Sequence, residues 1–159
     1  MRNSALNCPT SLQGPQEAVL CARPSLTVDR VSSWGGTEIF YDVQDVADAA
    51  YKMLQEKGNL SGENYSYDLT DFSRQALTDY GYALLKAIKA ADAQGDKQTY
   101  AKRRDAYLQL LLDVDQLLNT NKNYQLGRWT NMARDIANEV SIDADLMQSV
   151  LHFIQAVYR

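Results

Sequence analysis

With 159 residues, 45% of them apolar, the chain has the size of one ordinary domain and can bury a core that removes roughly 70% of its unfolded surface from water. Sixteen Lys and Arg stand against twenty Asp and Glu, a net charge of -4, and the basic run Lys102-Arg103-Arg104 is followed at once by Asp105; a nucleic-acid binder shows a clustered basic face instead, so nucleic acid is not expected as a partner. No apolar run approaches the roughly 18 residues of a membrane-spanning helix, and the opening MRNSALNCPTSLQGPQ lacks the continuous apolar region of a signal peptide, so neither a membrane partner nor a secretory leader is expected.

Residues 1–40 hold all three prolines and three of the eight glycines without a sustained period. They read as an irregular N-terminal arm with one short strand near Thr37 to Tyr41. Cys8 and Cys21 both fall in this arm. A bond between them would close a small ring and contribute about 3 kcal/mol, and two free thiols are the alternative that stays open.

From residue 42 onward apolar residues recur at helical spacing. The first run is Val43, Val46, Ala50 and Leu54. The second is Leu69, Phe72, Ala76, Tyr80, Leu84, Ile88 and Ala91. Tyr100, Tyr107, Leu111, Val114 and Leu118 form a third, and Leu126, Trp129, Ala133, Ile136 and Val140 a fourth. A fifth helix is expected near residues 144–157. Helix starts are marked by two similar stretches, YDVQDV at Tyr41 and YDLTDF at Tyr67, in which Asp42 and Asp68 serve as N-caps. Asp45 and Asp71 then lie near the positive end of the helix dipole, and the pairs Tyr41/Val46 and Tyr67/Phe72 act as hydrophobic staples. The carboxylate pairs are therefore read as helix starts and not as an acid/base couple. Gly58 and Gly95 supply left-handed stops, Asp96 opens the third helix, and the short AQGD link makes helices two and three an antiparallel hairpin. The Asn-rich NTNKNYQLG turn leads into helix four. The fold class is all-α, an antiparallel helix bundle over residues 41–159 with the irregular arm at 1–40.

Chemistry-bearing patterns are sparse. His152 is the single histidine and lies among Val150, Leu151 and Phe153, so it reads as a packed or surface residue and not as a catalytic base. One His and two Cys do not make a four-ligand zinc site, and SWGG at Ser33 to Gly36 has neither the spacing nor the lysine of a phosphate loop. No metal and no cofactor is expected. Six of the ten tyrosines lie between Tyr41 and Tyr82; sugar stacking is one use for them, core and staple positions the plainer one. Trp34 lies outside every periodic stripe, and Arg23, held before Pro24, aims a planar five-donor group from a non-helical segment. These two are the candidate substrate-binding residues. Arg128 beside Trp129 reads as a structural cation–π pair. Asn59-Leu60-Ser61 and Asn64-Tyr65-Ser66 match glycosylation acceptors, which matter in a secretory pathway.

Taken together, LCARPSLTVDRVSSWGGTEIFYD, YDLTDFSRQALTDY and LLNTNKNYQLGRWTNMARDIA resemble the C-terminal helical domain of the α-N-acetylglucosaminidases, a glycoside hydrolase family. The resemblance covers roughly residues 5–140. Its most specific parts are Arg-Pro-Ser-Leu at 23–26, the Tyr-Asp-Leu stretch running to Arg74-Gln75, and Leu126-Gly127 with Trp129 and Ala133-Arg134. It implies an enzyme that removes terminal α-linked N-acetylglucosamine from glycans with retention, through two glutamates on a preceding barrel, one acting as acid and base and the other as nucleophile about 5 Å away. None of the five glutamates here, Glu17, Glu38, Glu56, Glu63 and Glu139, stands in such a context, so no catalytic residue is expected in this chain. By resemblance the domain packs on the upstream catalytic barrel and lines its pocket, with Arg23 facing that interface, and meets glycan only within the full-length enzyme. The resemblance places such an enzyme in an extracytoplasmic or lysosomal setting. Residues 141–159 fall outside it, and the chain is expected to be a fragment. Two other readings carry different consequences: a stand-alone helical protein-interaction module, and a sugar-binding module that uses the tyrosines.

Overall fold

The computed structural model describes residues 18–28, 39 and 41–140. It is all-α: helices α1 (Val43–Gln55), α2 (Glu63–Ala93), α3 (Lys97–Asn119) and α4 (Leu126–Val140), three short 3-10 turns, and no strand among the described residues. The strand expected near Thr37 to Tyr41 is represented there by Ile39 and Tyr41 alone, neither of them in a strand; the fifth helix and His152 lie outside the described residues. The chain divides into two compact units, residues 1–117 and 118–159.

The first unit is built on α2, 31 residues long. α1 starts where Asp42, in extended conformation, accepts a hydrogen bond from the Gln44 amide at 2.9 Å, with Asp45 in the first turn, as the sequence predicts for this stretch. α1 and α2 run antiparallel, since Tyr41 ahead of α1 reaches Gln75 and Asp79, while Met53 near its far end gives its carbonyl to the Tyr65 hydroxyl at 2.5 Å. At the other end α2 closes on Gly95, whose φ of 68° is left-handed. The Asp96 amide donates to the Ala91 carbonyl and the Gly95 amide to that of Asp92, which satisfies two carbonyls the helix leaves open. Asp96 then caps α3 by accepting from the Thr99 amide at 3.0 Å, and hydrogen bonding to Thr99, first by its side chain and then by its amide, holds the carboxyl below the usual range. The antiparallel α2–α3 hairpin expected from AQGD is present: Leu84, Leu85 and Ile88 of α2 share one buried cluster with Tyr107 and Leu110 of α3.

Val19 of the 3-10 turn Val19–Cys21 joins the same cluster. What lets turn and hairpin meet is Gly81. A Cβ there would stand 2.5 Å from Leu20 Cδ2 and 3.2 Å from Leu110 Cδ2, so the missing side chain is the space that both leucines occupy. Further along, the Lys89 ammonium donates to the Val28 carbonyl at 2.6 Å and fastens the segment that follows the turn.

Four sequence expectations are corrected. Asp68 is not an N-cap: α2 begins a turn and a half earlier, at Glu63, with Gly62 (φ 116°) as its N-cap, so Asp68 and Asp71 lie inside the helix and Tyr67 and Phe72 are exposed, not a staple at a helix start. Gly58 is not a left-handed stop either. α1 unwinds through the 3-10 turn Glu56–Gly58, where the Asn59 and Leu60 amides both donate to the Glu56 carbonyl and no left-handed residue is needed. The buried face of α2 follows Thr70, Thr78 and Gly81 before it reaches Leu84 and Ile88, one position out of phase with the stripe through Phe72 and Tyr80, which are exposed. In α1 it is Ala50 that is buried, whereas Val43 and Leu54 are exposed.

The second unit carries its own local order. Asn121 is buried and accepts from the Asn123 amide at 3.0 Å, opening the 3-10 turn Lys122–Tyr124 that leads into α4. Trp129 donates its indole N–H to the Asn123 carbonyl at 3.0 Å. It is 54% exposed and is not the core-edge partner of Arg128 that the sequence implied; the cation–π contact among the described residues is Lys86 over the Tyr82 ring at 5.3 Å.

Two substitutions test this arrangement by urea denaturation. Gly95→Ala forces a side chain into a left-handed conformation and is expected to lower stability by about 1 kcal/mol. Gly81→Val gains helix propensity but displaces Leu20 and Leu110, with a net loss of about 1–3 kcal/mol. An unchanged midpoint for Gly81→Val would show that the close approach at this glycine is not a packing constraint.

Candidate functional site

Of the two residues singled out for substrate, Arg23 lies exposed on the irregular stretch after the 3-10 turn, and Trp34 lies outside the described residues. Cys21, two positions before Arg23, is exposed with a free thiol, whereas Cys8 lies outside the described residues. The basic run of α3 is exposed; Arg104 spends its guanidinium on the neighbouring Asp105, through Nε at 2.9 Å and Nη2 at 2.8 Å. No group of three or more His, Cys, Asp and Glu suited to a metal ion is found among the described residues, and no described helix is long and apolar enough to cross a membrane.

The most developed polar constellation is one that sequence reasoning did not single out. Asp79, on the face of α2 turned toward α1, is 6% exposed. Its Oδ1 accepts from the Tyr41 hydroxyl at 2.7 Å and from Gln75 Nε2 at 3.0 Å, and Gln75 Nε2 also donates to the Tyr41 oxygen at 2.7 Å. The three groups thus form a closed triangle. Asp79 Oδ2 is buried and has no hydrogen-bond partner among the described residues. The nearby cation, Arg74, is turned to Asp71, with Nη2 at 2.7 Å and Nε at 3.1 Å from Oδ1.

Burial is the largest influence on both titrating members. It raises the Asp79 carboxyl above its ordinary 3.8, more than the bonds from Tyr41 and Gln75 and the charge of Arg74 lower it. It likewise raises the Tyr41 phenol, and the Asp79 carboxyl beside it pushes in the same direction. Tyr107, in the core, is also raised, first by burial and then by the Cys21 thiol. The triangle holds an acid that resists ionisation and a phenol that stays protonated. With Oδ2 sealed from solvent, its first role is to join chain segments.

A sequence signal for this cluster did exist. Tyr41, assigned to a staple, has a hydroxyl that needs a partner when the ring is half-buried, and Asp79 sits one residue off the apolar stripe as first read. Correcting that stripe by one position would have placed an acid next to the buried face.

Apolar surface is the other prominent feature. Within the second unit, Leu126, Trp129, Met132 and Ile136 of α4 are all exposed, at spacings that put Trp129, Met132 and Ile136 along one side of the helix. On α3, Leu108 and Leu112 are exposed one turn apart, the latter at 61%. These are candidate docking surfaces.

The model of the family described as the α-N-acetylglucosaminidase (NAGLU) C-terminal domain matches residues 1–150. No curated protein and no solved structure matches the chain at a significant level. The match spans nearly the whole chain and includes the arm, the α2–α3 hairpin and α4, so the chain belongs to the α-N-acetylglucosaminidase C-terminal domain family.

Proposed function

We propose that this chain serves as the helical C-terminal domain of an α-N-acetylglucosaminidase, a glycoside hydrolase that removes terminal α-linked N-acetylglucosamine from glycans, and that it packs on a catalytic barrel and lines the substrate pocket. The observation that carries the proposal is the family match over residues 1–150, and family membership implies a multidomain enzyme context. The exposed apolar residues of α3, and separately those of α4, support it: large apolar side chains exposed along a helix are what a domain presents when another protein surface is meant to cover it.

In this reading the paired carboxyls that perform retaining hydrolysis belong to the barrel, and this chain contributes shape and contacts. Arg23 is one candidate for contact with substrate. Its exposed guanidinium offers a fork of donors suited to sugar hydroxyls or to an acid across a domain interface. Trp34 offers an aromatic face of the kind on which a pyranose ring stacks.

A stand-alone protein-interaction module is the second reading, and the same exposed apolar residues of α4 favour it. The two separate on what a barrel adds. The purified chain is expected not to hydrolyse a chromogenic α-N-acetylglucosaminide, and a chain joined to its barrel is expected to do so. In the joined enzyme Arg23→Ala and Trp34→Ala should each lower kcat/KM about tenfold or more, the loss expected when a charged hydrogen bond or a stacking face is removed. Turnover by the isolated chain would sink the proposal. A joined enzyme indifferent to both substitutions, together with a monomeric chain that binds another protein, would favour the interaction module.

A further inference from the structure

The triangle of Tyr41, Gln75 and Asp79 is unusual in how it distributes its bonds. Both donors fall on one carboxylate oxygen, Oδ1, and the other is buried without any among the described residues. An ionised carboxylate shares its charge between its two oxygens, so ionisation here would leave charge on an atom that is buried from solvent and has no hydrogen-bond donor among the described residues. That penalty exceeds the one for leaving a neutral O–H unpaired. A proton on Oδ2 keeps Oδ1 as a carbonyl that still accepts from Tyr41 and Gln75. The geometry therefore suits the neutral acid better than the anion.

The charged and titratable groups around the site do not reverse this. From its own helix, Arg74 is the one cation that bears on Asp79, and it is bonded to Asp71. From the chain leading into α1, Tyr41 donates a hydrogen bond; the adjacent Asp42 turns its carboxylate to the Gln44 amide. Among the described residues no group of α3 or of the Val19–Cys21 turn bears on the Asp79 carboxyl.

We propose that the Tyr41–Gln75–Asp79 triangle is an acid-stabilised clasp, in which a neutral Asp79 ties the segment entering α1 to the middle of α2 and loosens its hold when the carboxyl ionises. The residues it joins are 34 and 38 positions apart along the chain, so its release frees the start of α1 without touching the α2–α3 hairpin. Burial raises the carboxyl above 3.8, which fixes the sign. The contribution is fully present below the unfolded chain's carboxylate range and is lost as pH rises through the folded value. This inference is independent of the glycosidase reading, since it concerns the folding of the chain and not its substrate.

The test is a pH series on the full 159-residue chain, combining the carboxyl carbon shift of Asp79 by NMR with urea unfolding of wild type and Asp79→Asn. The amide of asparagine keeps an acceptor at Oδ1 and a neutral group in place of the second oxygen. The Asp79 carbon is expected to titrate above pH 3.8. The unfolding constant of wild type should rise relative to that of Asp79→Asn by up to about tenfold per pH unit between the unfolded and folded pKa values, the slope set by one proton. At acid pH the two proteins should converge. An Asp79 carboxyl that titrates at or below the ordinary value overturns the proposal, and so do parallel pH dependences in the two proteins. Should Asp79→Asn fail to fold, the carbon titration in wild type alone decides.

Discussion

The packing of the first unit depends on one missing side chain. At Gly81 the backbone of α2 is bare enough for Leu20 to approach from one direction and Leu110 from another, and the two leucines fill the space that a Cβ would claim. A glycine in the interior of a helix costs about 1 kcal/mol relative to alanine, and a 31-residue helix tolerates it because both neighbours bury apolar surface in return. Without that notch the Val19–Cys21 turn would ride higher on α2, and Val19 would lose its place among Leu84, Ile88 and Tyr107. The hairpin and the turn are thus registered against each other at one residue, with the Gly95 closure keeping α3 antiparallel to α2.

Away from the notch the buried interface between α1 and α2 changes character. Where α3 and the turn pack, α2 buries Leu84, Leu85, Ile88 and Ala91; where α1 begins, it buries Thr78 and Asp79, with Gln75 half-buried beside them. Thr70 and Thr78 return their hydroxyls to the Ser66 and Arg74 carbonyls four residues back, so they fill the interface without asking anything of α1. Asp79 and Gln75 do ask, and Tyr41 answers. The polar half of the interface is directional where the apolar half is not, which gives α1 a defined starting point on α2.

How far the sequence reached follows from this division. The Asp42 cap, the Gly95 and Asp96 turn and the antiparallel hairpin rest on local chemistry, in which a few residues decide, and they were legible. Asp68 misled because cap chemistry is also compatible with a helix interior. Nothing in Asn64 to Ser66 stops a helix, and Tyr65, by reaching the Met53 carbonyl, holds the extra turns against the end of α1. The phase of α2 was misread because its buried face there is made of threonine, aspartate and glycine, residues that carry no apolar signal, while Phe72 and Tyr80 on the outer face do. Of the site, family membership was legible in the motifs, whereas the Asp79 triangle required knowing that Tyr41 and α2 come together.

The bond from Lys89 to the Val28 carbonyl has a further consequence. A lysine that binds main chain recognises the path of the chain and not the residue that occupies it, because every amino acid offers the same carbonyl oxygen. The bond itself therefore asks nothing of the side chain at position 28, which Val28 spends on packing against the core cluster, while position 89 must keep a long cationic donor. Such a one-sided dependence lets the stretch that carries Arg23 diversify its side chains, and with them whatever it touches, without losing its mooring on α2.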